Sequence, residues 1–71
     1  MMNNDELKAA LLNKKPVIYT NWRGSEDEYK HVSAIRYTEE NGRVVVSAEI
    51  TDLNGRCVTV CDPEKLRYKE G

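Results

Sequence analysis

The dipeptide Asn-Gly occurs twice, as Asn41-Gly42 in ENGR and as Asn54-Gly55 in DLNGR. Both stand between stretches in which apolar and polar residues alternate. Asn and Gly tolerate the positive φ angles of tight hairpin turns, so the dipeptide is a strong signal for antiparallel strands on either side. EYKHVSAIRYTEE, RVVVSAEITD and RCVTVC then read as consecutive strands, and PVIYTN as a shorter one before them. Four strands joined by turns in so short a chain imply an antiparallel meander.

Register can be tested against this pattern, because a one-residue slip exchanges the two faces of a strand. A two-residue turn at Asn54-Gly55 sets Ile50 against Thr59 and Ala48 against Cys61. A type I turn over Asp52-Leu53-Asn54-Gly55, with Gly55 in the left-handed bulge position, sets Ile50 against Val58 and Ala48 against Val60. The second register puts apolar on apolar and is the one expected. It turns Val44, Val46, Ala48, Ile50, Val58 and Val60 inward. Cys57, Thr59 and Cys61 then lie on the other face, beside Thr51, Glu49 and Ser47.

The first turn leaves two registers open. A tight Asn41-Gly42 turn pairs Tyr37 with Val46 and Ile35 with Ala48. A bulged turn pairs Ala34 with Ala48 and Val32 with Ile50. A bulge near Ser33-Ala34, or a long strand that bends to serve two sheets, reconciles the two parities.

Before Pro16 the period is helical. Asn3 or Asn4 can cap residues 3–15, and Glu6 stands at capping-box distance from Asn3. Leu7, Ala10, Leu11 and Lys14 share a face, and Pro16 ends the helix. Three turns are not stable alone in water, so this stripe must dock on something. At the other end, Asp62 suits an N-cap and Pro63 a first helical position. PEKL reads as one helical or 3₁₀ turn with Leu66 inward, followed by a last short strand, RYK.

Strand, long loop, bent strand, turn, strand, turn, strand, 3₁₀ turn, strand: over Pro16 to Lys69 this order resembles an SH3-like barrel. The expected fold is mainly β, a short N-terminal helix followed by a five-stranded antiparallel SH3-like barrel in a single domain, 1–71, with the barrel over 16–69. The patterning of PVIY, YKHVSAIRY and NGRVVVSAEITDLNGRCVTV also resembles small accessory proteins of phages and mobile elements. That resemblance implies a protein that docks on a host or partner protein.

The stretch NWRGSEDEY falls where the first long loop of an SH3 domain lies. In peptide-binding members that loop is acidic and works beside an aromatic groove. Glu26, Asp27 and Glu28 are the acids here, and Tyr19, Trp22 and Tyr29 the aromatics. The chain has no ALYDY run, no paired Trp opening the third strand, and no groove Pro and Tyr near the last strand. Proline-rich recognition is therefore not carried over. The expected partner-binding residues are Tyr19, Trp22, Arg23, Glu26, Asp27 and Tyr29. Trp22 is either a plug at one end of the barrel or an exposed anchor.

Eleven basic residues face twelve acidic ones, a net charge of −1, so attraction to a polyanion is not built into the total. Tudor- and KOW-type SH3-like folds nevertheless imply a second reading, nucleic-acid binding, with Arg23, Lys30, Arg36 and Tyr37 as contacts. A third is a structural subunit of a larger assembly. Self-association through a strand edge is also open, since small open barrels leave edges to cover.

Cys57 and Cys61 lie about 13 Å apart along a strand, too far for a disulfide, and read as free thiols of a reducing compartment. With His31 they are the only soft ligands, short of the four that a structural zinc site wants. His31 faces Asp52 in the tight register, which could orient a base, but no nucleophile or glycine-rich phosphate loop accompanies it. The expectation is a non-enzymatic protein without metal or cofactor. No apolar run is long enough to span a membrane, and Asp5 and Glu6 stand where a signal peptide would be basic, so a cytoplasmic location is expected.

Overall fold

The computed structural model describes residues 2–69. The chain forms α1 (Asn4–Asn13), β1 (Val17–Thr20), β2 (Glu26–Tyr29), β3 (His31–Glu40), β4 (Arg43–Thr51), β5 (Val58–Cys61), a 3₁₀ turn (Pro63–Lys65) and β6 (Leu66–Tyr68). Two three-stranded antiparallel sheets result, in the orders β2-β1-β6 and β3-β4-β5.

Six strands replace the expected five because EYKHVSAIRYTEE is divided at Lys30. Tyr29 must face Val17 in the first sheet, and Val32 must face Ile50 in the second. They are an odd number of residues apart, so no straight strand turns both inward. The chain bends at Lys30, whose N–H still donates to the Thr51 carbonyl at 2.8 Å. A second parity change follows at once. Val32 pairs with Ile50 and Ala34 with Glu49, leaving Ser33 as a bulge, with its hydroxyl bonded to that of Thr51. Ile35 then returns to the inner face against Ala48. Bend and bulge together satisfy both parities seen in the sequence.

The Asn41-Gly42 turn is the tight form, with φ of 52° and 79° and Glu40 paired to Arg43. Glu39 accepts from the Gly42 N–H at 2.7 Å.

The DLNGR turn corrects the expected register. Ile50 pairs with Thr59, and Ala48 with Cys61. The type I turn is present: Gly55 N–H donates to the Asp52 carbonyl at 3.0 Å, and Gly55 has φ 74°. The loop does not close at Arg56, however. The Asp52 carboxylate takes the Arg56 N–H at 2.9 Å and draws that residue into the loop. The strands meet one residue later, where Asp52 N–H donates to the Cys57 carbonyl at 3.0 Å. These donors, the Arg56 N–H first, hold the Asp52 carboxyl below its usual range against a smaller opposing effect of desolvation.

One residue of slip exchanges the faces of β5. Val58 and Val60, expected inside, are 54% and 52% exposed, and Cys61, expected outside, is 6% exposed. Thr59 turns half inward, opposite Ile50, and Thr51 is buried. Val44 is also exposed, because the β3–β4 hairpin carries its tip beyond the core. Val46, Ala48 and Ile50 lie on the inner face as expected.

The helix follows its caps. Asn3 accepts from the Glu6 N–H at 2.8 Å, the Glu6 carboxylate faces the Asn3 N–H, and Lys14 closes the C-terminus in a left-handed conformation. Leu7 and Ala10 are buried, and α1 packs on β3 of its own chain. Tyr68 hydroxyl donates to the Glu6 carbonyl at 3.0 Å, tying helix to last strand. The core joins Leu7 and Ala10 to Val17, Val32, Ala48, Ile50, Cys61 and Leu66, with Met2 over one end. Asp62 caps the 3₁₀ turn through the Glu64 N–H at 2.9 Å, with Pro63 at its start.

Candidate interaction surface

The stretch Asn21–Ser25 is a short, internally bonded hairpin tip between β1 and β2, not a long loop. Asn21 N–H donates to the Ser25 carbonyl and Gly24 N–H to the Asn21 carbonyl, both at 2.9 Å. The Asn21 side chain accepts from the N–H groups of Arg23 and Ser25, at 2.9 and 3.1 Å. Gly24 takes φ 84°, a conformation that glycine adopts without a Cβ clash. These bonds leave Trp22 pointing outward, 85% exposed. The ring therefore does not plug the end of the fold. The Arg23 guanidinium lies 4.9 Å from the Trp22 ring centroid, in cation–π range.

The three acids are in β2, paired along β1 as Thr20 with Glu26, Tyr19 with Asp27 and Ile18 with Glu28. Alternation therefore separates them. Glu26 and Glu28 share the outer face and reach across β1 to β6, where Glu26 meets Arg67 at 2.6 Å and Glu28 meets Lys69 at 2.7 Å. Exposed pairs of this kind contribute about 0–1 kcal/mol each. Asp27 lies on the opposite face, with Tyr19 and Tyr29. The two tyrosines are half-buried against the core and meet edge to face at 6.2 Å. The six residues expected to bind a partner thus fall into three places: Trp22 and Arg23 at the tip, Tyr19, Asp27 and Tyr29 on one face, and Glu26 on the other.

The four residues expected to contact nucleic acid are dispersed as well. Arg23 is at the tip and Lys30 at the bend between β2 and β3. Arg36 and Tyr37, being neighbours in β3, point to opposite faces, against Ser47 and Val46. Tyr37 is 55% exposed and shares its side of the β3–β4 hairpin with Val44.

His31 faces Thr51, not Asp52, because the Ser33 bulge shifts the register and Asp52 is engaged in its own loop. Cys57 and Cys61 are free thiols, the first exposed and the second buried. Burial, with a smaller contribution from Asp62, pushes the Cys61 thiol up to about 11, so it carries no nucleophile at neutral pH. No group of three His, Cys, Asp or Glu side chains among the described residues could hold a metal. An open recess of about 400 Å³ lies at the end of α1, lined by Asn13, Lys15, Pro16, Tyr68 and Lys69. Among the described residues no helix is long and apolar enough to cross a membrane.

Alternation alone turned Val44, Val58 and Val60 inward, where the structure exposes them. The signal that could have found two of them is Asp52 four residues before Arg56, the spacing of a carboxylate that caps a longer loop.

The chain matches no family model, no curated protein and no solved structure.

Proposed function

We propose that this protein is a non-enzymatic binding module that docks on a protein partner through the Trp22 tip. The observation that carries the reading is the placement of the chain's only Trp, 85% exposed on a turn held by four hydrogen bonds. Large exposed aromatics beside an Arg are the residues that most often dominate the energy of protein interfaces. A pre-formed tip also loses little conformational freedom on binding. Nothing in the core needs Trp22, so its exposure has no packing explanation. Arg23 shares the tip, and Asp27 stands on the adjoining strand with the edges of Tyr19 and Tyr29.

The fold we propose for this module is an SH3-like barrel. The order β2-β1-β6 with β3-β4-β5, linked by a bent strand and a 3₁₀ turn, supports it. The assignment to accessory proteins of phages and mobile elements, and to the cytoplasm, rests on the sequence resemblance and composition alone.

The test compares immobilised wild-type protein with Trp22→Ala against the proteins of the source cell. A partner retained by the first and lost with the second, at unchanged melting temperature, is the expected result. Identical retained sets would remove the tip from the interface. The alternative, nucleic-acid binding, is favoured by one observation, the Arg23–Trp22 stack, which is the kind of platform that holds single-stranded bases. It demands binding that weakens steeply between low and physiological salt.

A further inference from the structure

We infer that β5 is a self-recognition edge, on which a second copy of this chain pairs antiparallel through a two-fold axis at Thr59.

The argument begins with the four strands that end a sheet. β2 reads EDEY and would set acid against acid if it met itself. β6 is three residues long and carries Arg67. β3 carries the Ser33 bulge and charged residues, and α1 packs against it. These are the usual devices that keep an edge from pairing. β5, Val58–Cys61, has none of them: no charge, no proline and no bulge. Its described strand partner is β4 alone.

The hydrogen-bonding parity of β5 is known. Asp52 N–H bonds to the Cys57 carbonyl, so Cys57, Thr59 and Cys61 direct their backbone groups to β4. In an antiparallel ladder the alternate residues face the other way, and Val58 and Val60 offer their N–H and C=O groups to the open edge. The same residues present valine side chains that are half exposed on the outer face.

The sequence from 56 to 62, RCVTVCD, is self-complementary about Thr59. Antiparallel pairing centred there sets Val58 against Val60 of the second copy, and Val60 against its Val58. Both are hydrogen-bonded pairs, as the parity requires. Arg56 then approaches Asp62 of the second copy at each end, and among the described residues Arg56 has no ion-pair partner. A slip of two residues either way sets Val60 against Arg56 or Val58 against Asp62. Only the centred register places apolar on apolar and basic on acidic. The contact is isologous, closed, and joins the two three-stranded sheets into one of six. Its four-residue edge belongs with the small, reversible interfaces.

Sedimentation from about 10 µM to 1 mM tests this in reducing buffer. A concentration-dependent monomer–dimer equilibrium is expected. Val60→Lys, at an exposed position, should keep the circular dichroism spectrum and weaken association by roughly tenfold or more. Arg56→Glu should weaken it and Arg56→Lys should not. Trp22→Ala should leave it unchanged, which separates this edge from the tip. Thr59→Cys in a Cys57→Ser background reports the register, because facing residues on the axis come within disulfide reach. Oxidation should give a covalent species of twice the monomer mass. Sedimentation as a monomer throughout would overturn the proposal. So would a dimer indifferent to Val60→Lys, or one that leaves the cysteine at position 59 uncrosslinked.

Discussion

The two Asn-Gly turns share a dipeptide and close differently, and the difference reaches the surface of the molecule. At Asn41-Gly42 both residues take positive φ, and the strands meet immediately on either side. The nearby acid, Glu39, bonds back to Gly42 and leaves the register alone. At Asn54-Gly55 the nearby acid is Asp52, whose short side chain reaches forward to the Arg56 N–H. The loop gains a residue and β5 turns over. A single carboxylate bond thus decides which of β5's side chains enter the core and which stand on its open edge.

Neighbouring residues of β5 break the comparison most forcefully. Cys61→Asp would bury an unpaired charge and is expected to cost about 4 kcal/mol or more, enough to unfold a domain this small. Val60→Asp is expected to stay within about 0.5 kcal/mol by denaturant titration at micromolar protein. Equal losses would refute the register. Cys61 also carries a pH signature. Its folded thiol titrates at about 11 against 9.0 when exposed, so its contribution is whole below pH 9 and is lost as pH rises towards 11. Melting temperatures of wild type and Cys61→Ala should converge over that window. A difference that stays constant from pH 8 to 11 would contradict the assignment.

The glycines come next. Gly42 and Gly55 have φ of 79° and 74°, and alanine at either is expected to cost about 1–2 kcal/mol by strain alone. No backbone or core atom crowds either site. Asp52→Ala should cost less than either glycine but act on register. Amide exchange at Arg56 and Cys57 should accelerate while exchange around Gly42 stays slow. Its carboxyl is held below the ordinary value of 3.8, so its contribution is present above that pH and fades in acid, a dependence that Asp52→Asn should remove. The smallest effect belongs to Trp22→Ala, expected within about 0.5 kcal/mol of wild type by thermal melting. A loss of several kcal/mol would mean that the ring packs inside after all.

The same contrast explains what could be read from residues. Features fixed by neighbours within a few positions were legible: the Asn3–Glu6 capping box, the presence of a turn at Asn41-Gly42 though not its register, the Asp62-Pro63 start of the 3₁₀ turn, and the parity conflict at Val32 and Ile35 that called for a bulge or a bend. Features decided by where a side chain reaches were not. Asp52 is compatible with two loop lengths, and apolar matching of Ile50 to Val58 favoured the wrong one. NWRGSEDEY read as a long acidic loop because composition does not show that Asn21 closes the tip or that Glu26 and Glu28 find Arg67 and Lys69 across β1. The candidate site was legible as residue types and not as one surface. Strand alternation divides Tyr19, Asp27 and Tyr29 from Glu26, and Arg36 from Tyr37.

The register of β5 is the claim on which both the core and the open edge depend, and the two thiols report it directly. Titration of the folded, dilute protein with a thiol reagent at neutral pH, followed by mass mapping, is the decisive measurement. Modification of one thiol per chain, at Cys57, with Cys61 reacting only on denaturation, is the predicted result. Equal, rapid modification of Cys57 and Cys61 would place both on the outer face and contradict the account.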